Sequence, residues 1–210
     1  MSIADDGVRG YIDEKLTARR RLNPDPTSPT THRVLPFAIW LTGLPASGKS
    51  TIVSLLRPEL EALDLTVEVL ESDEVRHILT PAPTYSETER DLFYRALAFL
   101  GARLVAHGIT VVFDATATRR MYRNLARTLI PRLIEVSVEC PLEVCMQRDY
   151  KGTYHRGQHG DTSTVPGLQV PYEPPTDPEL RIDTTTVTPA EAARRIIALV
   201  RTRLFTQEEN

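Results

Sequence analysis

Residues 43–50 read GLPASGKS, between the apolar run FAIWLT at 37–42 and the stretch TIVSLLRPELEAL at 51–63. Gly43 and Gly48 bracket a strand-to-helix turn whose backbone N–H groups, with the positive end of the following helix, form an anion cradle. In the pattern G-x-x-x-x-G-K-[ST], Leu44, Pro45, Ala46 and Ser47 fill the loop, and Ser47 offers a further hydroxyl donor. Lys49 is placed to reach the β- and γ-phosphates of ATP and Ser50 to ligate Mg²⁺, with Thr51 completing the ATP-binding set. The strand before and the helix after are the context the pattern requires. The stretch predicts an α/β protein that binds a nucleoside triphosphate.

Outward from this loop, apolar runs alternate with helical periods. FAIWLTG (37–43), LTVEVLES (65–72), ITVVFDA (109–115), LIEVSVEC (133–140) and ELRIDT (179–184) read as strands. Helices are expected over KSTIVSLLRPELEAL, DEVRHIL, TRRMYRNLARTLI and PLEVCMQRD, the last with Pro141 in its first turn. A capping box, Ser86 to Glu89, opens a long helix that Gly108 ends, and Thr188 with Glu191 opens PAEAARRIIALVRTRLF. The alternation predicts a three-layer α/β/α sandwich, with a mostly parallel five-stranded sheet and right-handed crossovers. Residues 150–178 are rich in Gly, Pro, His and Thr without a period, and suit a lid. Residues 1–21 are expected to form a helical appendage and 22–36 a Pro-rich linker, leaving 37–210 as the phosphate-loop domain.

The chain has 210 residues, 41% hydrophobic and 25% charged, ordinary values for a soluble domain with a self-sufficient core. Its formal net charge of −3, with no basic stripe interleaved by aromatics, argues against nucleic acid as a partner. The apolar runs are far short of a membrane span, and the acidic start MSIADDG does not read as a signal peptide. A cytoplasmic protein with no membrane partner is the expectation. Cys140 and Cys145 are too few for a disulfide framework and match no zinc spacing, so they read as thiols in a reducing compartment.

A phosphate loop serves ATPases, GTPases and small-molecule kinases alike. The base-reading N-K-x-D of a GTPase is absent from the sequence. Polar groups instead gather where strands end, the place ligands occupy in open parallel sheets. The second strand runs into LESDEVRHIL, supplying Glu71, Asp73 and Arg76. An acid there can orient or deprotonate an attacking hydroxyl, and an arginine one turn later can pair with an anionic acceptor. Asp73 could equally cap its helix, and the two jobs are compatible. The segment RDYKGTYHRGQHG holds Arg148, Lys151, His155 and Arg156, cations able to close over a γ-phosphate and exclude water.

From Phe37 to Phe205 the chain resembles the adenylylsulfate kinase (APS kinase) family. The motifs that carry the likeness are GLPASGKST, ESDEVRHIL, YSETER, PRLIEVSVECPLEVCMQRDYKGTY and PGLQVPYEPPTDPELRIDT, in the family's order and separations. The part from PLEVC through PYEPP to IDT is the most specific. The resemblance implies a phosphate-loop kinase that moves the γ-phosphate of Mg-ATP to the ribose 3′-hydroxyl of adenosine 5′-phosphosulfate. It also implies a cytoplasmic homodimer working in sulfate assimilation. By matched position, Asp73 contacts the acceptor hydroxyl, Arg76 and Arg90 hold the phosphosulfate, and Tyr85 stacks on the acceptor's adenine. Lys151 lies near the transferred phosphate, Arg148 packs on the adenine of ATP, and Leu168 touches the acceptor base. Lys49, Asp73 and Lys151 are thus the implied catalytic set.

Several positions depart from the family pattern. Its usual D-G-D-N is here Glu71-Ser72-Asp73-Glu74, and Phe93 stands where the family has asparagine. Val165 replaces a stacking phenylalanine in the lid, and Ser163-Thr164 replace a lysine-asparagine pair. The third strand ends FDATATRR in place of SFISPYRR, and Asp114 with Thr116 resembles the D-A-T strand end of other small phosphate-loop kinases. Asp114 is accordingly a candidate to hold Mg²⁺ through water. Two alternatives remain beside the APS reading. One is a related kinase of another nucleotide-linked metabolite, hydroxyl or nitrogen; the other is a non-catalytic nucleotide-binding regulator.

Overall fold

The computed structural model describes residues 35–205. The expected N-terminal helix, and the linker apart from its last two residues, lie outside the described residues.

Five parallel strands make one sheet. They are β1 (Ala38–Thr42), β2 (Val67–Glu71), β3 (Thr110–Asp114), β4 (Leu133–Glu139) and β5 (Leu180–Asp183), in the spatial order β2-β3-β1-β4-β5. All five residues of β1 and of β3 are buried, which explains why those segments read as continuous apolar runs rather than alternations. The connecting helices are α1 (Lys49–Glu61), α2 (Ser72–Leu79), α3 (Glu87–Ala106), α4 (Arg120–Leu129), α5 (Leu142–Gln147), α6 (Thr153–Gln158) and α7 (Pro189–Val200). The chain leaves β1 toward one edge for β2 and later crosses to the other side for β4, so the crevice lies beyond the carboxyl end of β1.

In the core, Trp40 stacks on Phe113 at 4.3 Å, and its indole N–H donates to the Ala115 carbonyl at 3.0 Å. A buried polar girdle ties α4 to the sheet. Arg123 donates to Glu135 Oε1 at 2.7 Å, to the Ala117 carbonyl, and to the Glu173 carbonyl at 2.6 Å. Arg127 forks onto both oxygens of Glu179, at 2.7 and 2.9 Å. The Arg123 bond to Ala117 fixes the loop that follows Asp114.

Four local expectations are corrected. The segment 150–178, read as lacking a period, contains α6; six residues are too short to display one. Asp149 builds that helix by accepting the N–H groups of Thr153, Tyr154 and His155 at 2.7–3.0 Å. Pro141 is the N-cap of α5 rather than part of its first turn. The last helix ends at Val200 and closes in a wider π turn at Arg201–Phe205. The two capping boxes form by halves: Ser86 and Thr188 accept the N–H of Glu89 and Glu191, both at 3.3 Å. Their glutamates turn away to arginines instead, Glu89 to Arg76 and Glu191 to Arg194 and Arg195.

Candidate active site

The turn from β1 into α1 depends on close approach. A Cβ on Gly43 would sit 2.3 Å from the Val138 carbonyl oxygen of neighbouring β4, so only glycine lets the loop lie against the sheet. Gly48, the N-cap of α1, takes φ 102°, and Ala46 is also left-handed at φ 57°. Alternation of this kind turns successive N–H groups inward, as an anion-binding nest requires.

Lys49 is buried and donates to the carbonyls of Gly43 and Leu44 at 3.1 and 2.9 Å. Burial pushes its ammonium below the ordinary lysine range, while the charges of Asp114 and Asp73 oppose that shift. Among the described residues, the Ser47 hydroxyl is a buried side-chain polar atom without a hydrogen-bond partner. It lies behind the loop, 2.8 Å from where a Cβ on Gly43 would stand. Thr184, beyond β5, braces the loop from behind by donating to the Ser47 carbonyl at 2.9 Å.

A cavity of about 730 Å³ opens above this loop, within the range of small-molecule sites. Pro45, Ala46, Gly48, Lys49, Ser50 and Thr51 line its floor. Asp73, Arg76, Tyr85 and Arg90 form one wall, Arg148 and Lys151 another, and Asp114 reaches it from the end of β3. Most of the residues singled out from sequence therefore meet in one place. Gly43, Leu44 and Ser47 lie behind the floor rather than on it. Leu168 is not brought there: it packs on the cluster of Cys145, Tyr154 and Val165, under the lid. The aliphatic contact expected of Leu168 is thus spent on holding the lid together.

The lid meets the opposite wall through charge. Lys151 Nζ lies 2.9 Å from Asp73 Oδ2 and 3.4 Å from Glu71 Oε1. Its hydrogen bond to Asp73 holds the ammonium above the usual lysine range. Helix α2 starts without a side-chain cap, so the capping role considered for Asp73 is not used. Arg148 donates to Thr184 at Oγ1 and at the carbonyl, both 3.0 Å, which presents its guanidinium beside the cavity. Of the other lid cations, Arg156 lines the cavity, whereas His155 stacks on His159 at 4.1 Å.

Two arginines are buried in the wall that carries Asp73 and Tyr85. Arg76 is 6% exposed and Arg90 7%. Among the described residues Arg76 has one carboxylate partner, Glu89 Oε1 at 2.8 Å, and Arg90 donates to two carbonyls, of Tyr85 at 2.9 Å and Thr164 at 2.7 Å. Both guanidiniums approach the Tyr85 ring, at 4.9 and 5.4 Å from its centroid. Two buried arginines, of which one is paired with a carboxylate among the described residues, favour an anion beside them.

The model of the adenylylsulphate kinase family matches residues 35–183. The chain belongs to the adenylylsulfate kinase family. Among curated relatives, the adenylyl-sulfate kinase of Microcystis aeruginosa is 38% identical over 158 residues, covering 75% of this chain and 87% of that protein. A probable adenylyl-sulfate kinase of Archaeoglobus fulgidus is 38% identical over 148 residues, covering 70% and 96%. Among solved structures, the Mycobacterium tuberculosis APS kinase in complex with AMPPNP and APS superposes with a TM-score of 0.74 at 30% identity, covering 79% and 98%. The phosphate-loop sandwich read from the sequence is the fold of this family, and ATP-dependent phosphotransfer is its chemistry.

Sequence reasoning did not single out Glu89, Thr164 or Thr184 as parts of the site. Glu89 carried a signal, but for helix capping. Thr184 ends the quoted IDT motif with no assigned task. Thr164 acts through its backbone carbonyl, which leaves no mark in a sequence.

Proposed function

We propose that this chain transfers the γ-phosphoryl group of ATP to the 3′-hydroxyl of adenosine 5′-phosphosulfate, yielding 3′-phosphoadenylylsulfate and ADP. The observation that carries the reading is the convergence of Lys49, Asp73 and Lys151 on one cavity whose far wall holds the buried pair Arg76 and Arg90. In the transfer, a bond forms between the acceptor's 3′-oxygen and the γ-phosphorus as the bridging bond to ADP breaks. Asp73 orients the hydroxyl and takes its proton. Lys49, with the loop amides, stabilises charge on the transferring group and the departing ADP oxygen. Lys151 moves from Asp73 toward the phosphoryl oxygens, freeing the carboxylate for the hydroxyl. The closed lid excludes water, which would otherwise hydrolyse ATP.

Mg²⁺ belongs to this proposal. When bound it would neutralise charge on the β- and γ-phosphates. The Ser50 hydroxyl would hold it directly and Asp114 through water. Among the described residues no three His, Cys, Asp or Glu side chains form a metal site, which fits an ion held mainly by phosphate oxygens and water. Cytoplasmic sulfate assimilation is part of the same reading, since the reaction needs an ATP pool. So is a homodimer, supported by Leu92, Phe99, Leu100 and Met121, large apolar side chains that α3 and α4 leave exposed. Sedimentation at several concentrations tests the homodimer; a monomer throughout removes it.

The decisive assay supplies Mg-ATP and APS to the purified chain and follows the 3′-phosphorylated product by chromatography. ATP turnover indifferent to APS, with no such product, rejects the proposal. Lys49→Ala is expected to abolish transfer while the protein stays folded.

A second reading, a kinase of another nucleotide-linked acceptor, is favoured by Val165. That side chain lines the cavity from the lid cluster but offers no ring face to a base, so Tyr85 has no aromatic facing it from that position. Turnover with APS alone, in a screen of nucleotide acceptors, would exclude it.

A further inference from the structure

Phe93 stands where the family pattern has asparagine, and it lies directly behind Arg76, which lines the cavity. Its ring is buried, and the Arg76 guanidinium carbon lies 3.8 Å above its centroid, closer than to Tyr85 at 4.9 Å. Arg76 has few other restraints. Among the described residues, one of its five N–H groups is committed, to Glu89 Oε1. Glu89 is in turn pinned by the Thr84 N–H and hydroxyl, both at 2.6 Å. Glu89 therefore fixes one corner of the guanidinium and the Phe93 face fixes its plane, leaving the remaining donors to the cavity that Arg76 lines.

Phe93 is itself held from both sides. It meets Tyr94 edge-on at 5.2 Å, and Tyr94 stacks on Tyr122 at 4.6 Å. The Tyr94 hydroxyl accepts the Ala117 N–H at 3.1 Å, and Tyr122 donates to Asp91 at 2.6 Å. The ladder of three rings thus connects the acceptor wall to the loop after β3, which Arg123 also anchors.

Resting on the APS reading above, we infer that Phe93 is a positioning residue for the acceptor: its ring face holds the Arg76 guanidinium flat and aimed at the acceptor's anionic group. An asparagine cannot do this, since its small polar amide offers no aromatic ring face to a guanidinium. A buried, desolvated cation over a ring is where this interaction is strongest. Because the ring acts on acceptor binding alone, its loss raises the KM for APS and leaves kcat and the ATP site unchanged.

Two replacements at position 93 test this. Phe93→Leu keeps an apolar side chain and removes the face. Incorporation of 3,4,5-trifluorophenylalanine keeps the ring's shape and removes its attraction for a cation, so the test survives if the leucine variant folds poorly. Steady-state kinetics on the full chain would vary APS and ATP separately, with ADP binding measured by calorimetry. Both proteins are expected to show a KM for APS raised about tenfold, with the KM for ATP and the ADP affinity within about twofold of wild type. A fluorinated protein with wild-type KM for APS overturns the inference, as does a loss shared equally by ATP. Absence of APS turnover in the wild-type chain would instead defeat the reading of function.

Discussion

Replacing Gly43 by alanine puts a methyl carbon 2.3 Å from the Val138 carbonyl oxygen and 2.8 Å from the Ser47 hydroxyl. Carbon and oxygen not bonded to each other settle no closer than roughly 3.3 Å. The loop and β4 must therefore separate by about 1 Å. Val138 cannot yield easily, because it is buried in a strand paired on both sides. The backbone of Gly43 lies outside the left-handed region, so alanine adds no dihedral strain and the clash alone decides. Overpacking of this size costs about 1–3 kcal/mol, equivalent to a fall in Tm of roughly 2–12 °C for a domain of this length. The functional cost is expected to be larger. A displacement of about 1 Å in the groups that hold the reacting phosphate lowers kcat/KM on the order of a hundredfold. Thermal melts with and without ADP, alongside kinetics in ATP, measure both. Gly101→Ala is the comparison: its methyl would meet the Phe113 ring at 2.1 Å and no atom of the loop, so Tm falls with a smaller change in the KM for ATP than Gly43→Ala gives. A Gly43→Ala protein with wild-type Tm and ATP kinetics would refute the reasoning.

The proposed catalytic carboxylate and the buried charges allow three further tests. Asp73→Asn is expected to lower kcat by about 10²–10⁴-fold with ADP affinity within about twofold of wild type, measured by kinetics and calorimetry. Glu135→Leu leaves the Arg123 guanidinium buried beside an apolar group, for a loss of about 3–5 kcal/mol, read as a Tm lower by about 6–20 °C. Glu179 responds to pH. Burial by itself would raise its carboxyl, but the Arg127 fork and the Glu135 N–H outweigh it and hold the group below the ordinary range. Its stabilising contribution is complete above the unfolded carboxylate value and is lost as pH falls through the lower folded one. Urea melts from pH 6 downward should therefore show an acid decline that Glu179→Gln flattens; matching declines would contradict the assignment.

What the amino-acid order determined by itself was local and periodic. The phosphate loop is contiguous from Gly43 to Thr51, and its pattern dictates a strand before and a helix after. The buried strands announce themselves as apolar runs because both faces of a parallel sheet are covered. Asp73 and Arg76 were legible from their place just past a strand end, and Arg148 and Lys151 as cations of a basic segment, whereas Tyr85 and Arg90 were legible only through the family's motifs. What the tertiary structure alone decided was partnership across long separations in the chain. Lys151 meets Asp73 and Glu71, Thr184 braces the Ser47 carbonyl, and Arg90 reaches the Thr164 carbonyl. Leu168 looked like a cavity residue but packs into the lid's own apolar cluster, while Val165 belongs to that cluster and still lines the cavity. Phe93 read as a lost asparagine and proved to lie flat beneath Arg76. The physical reason is range. Backbone propensity and the period of burial act within a few residues, whereas the pairing of a charge with a carboxylate, a carbonyl or a ring depends on how the sheet order brings distant segments together.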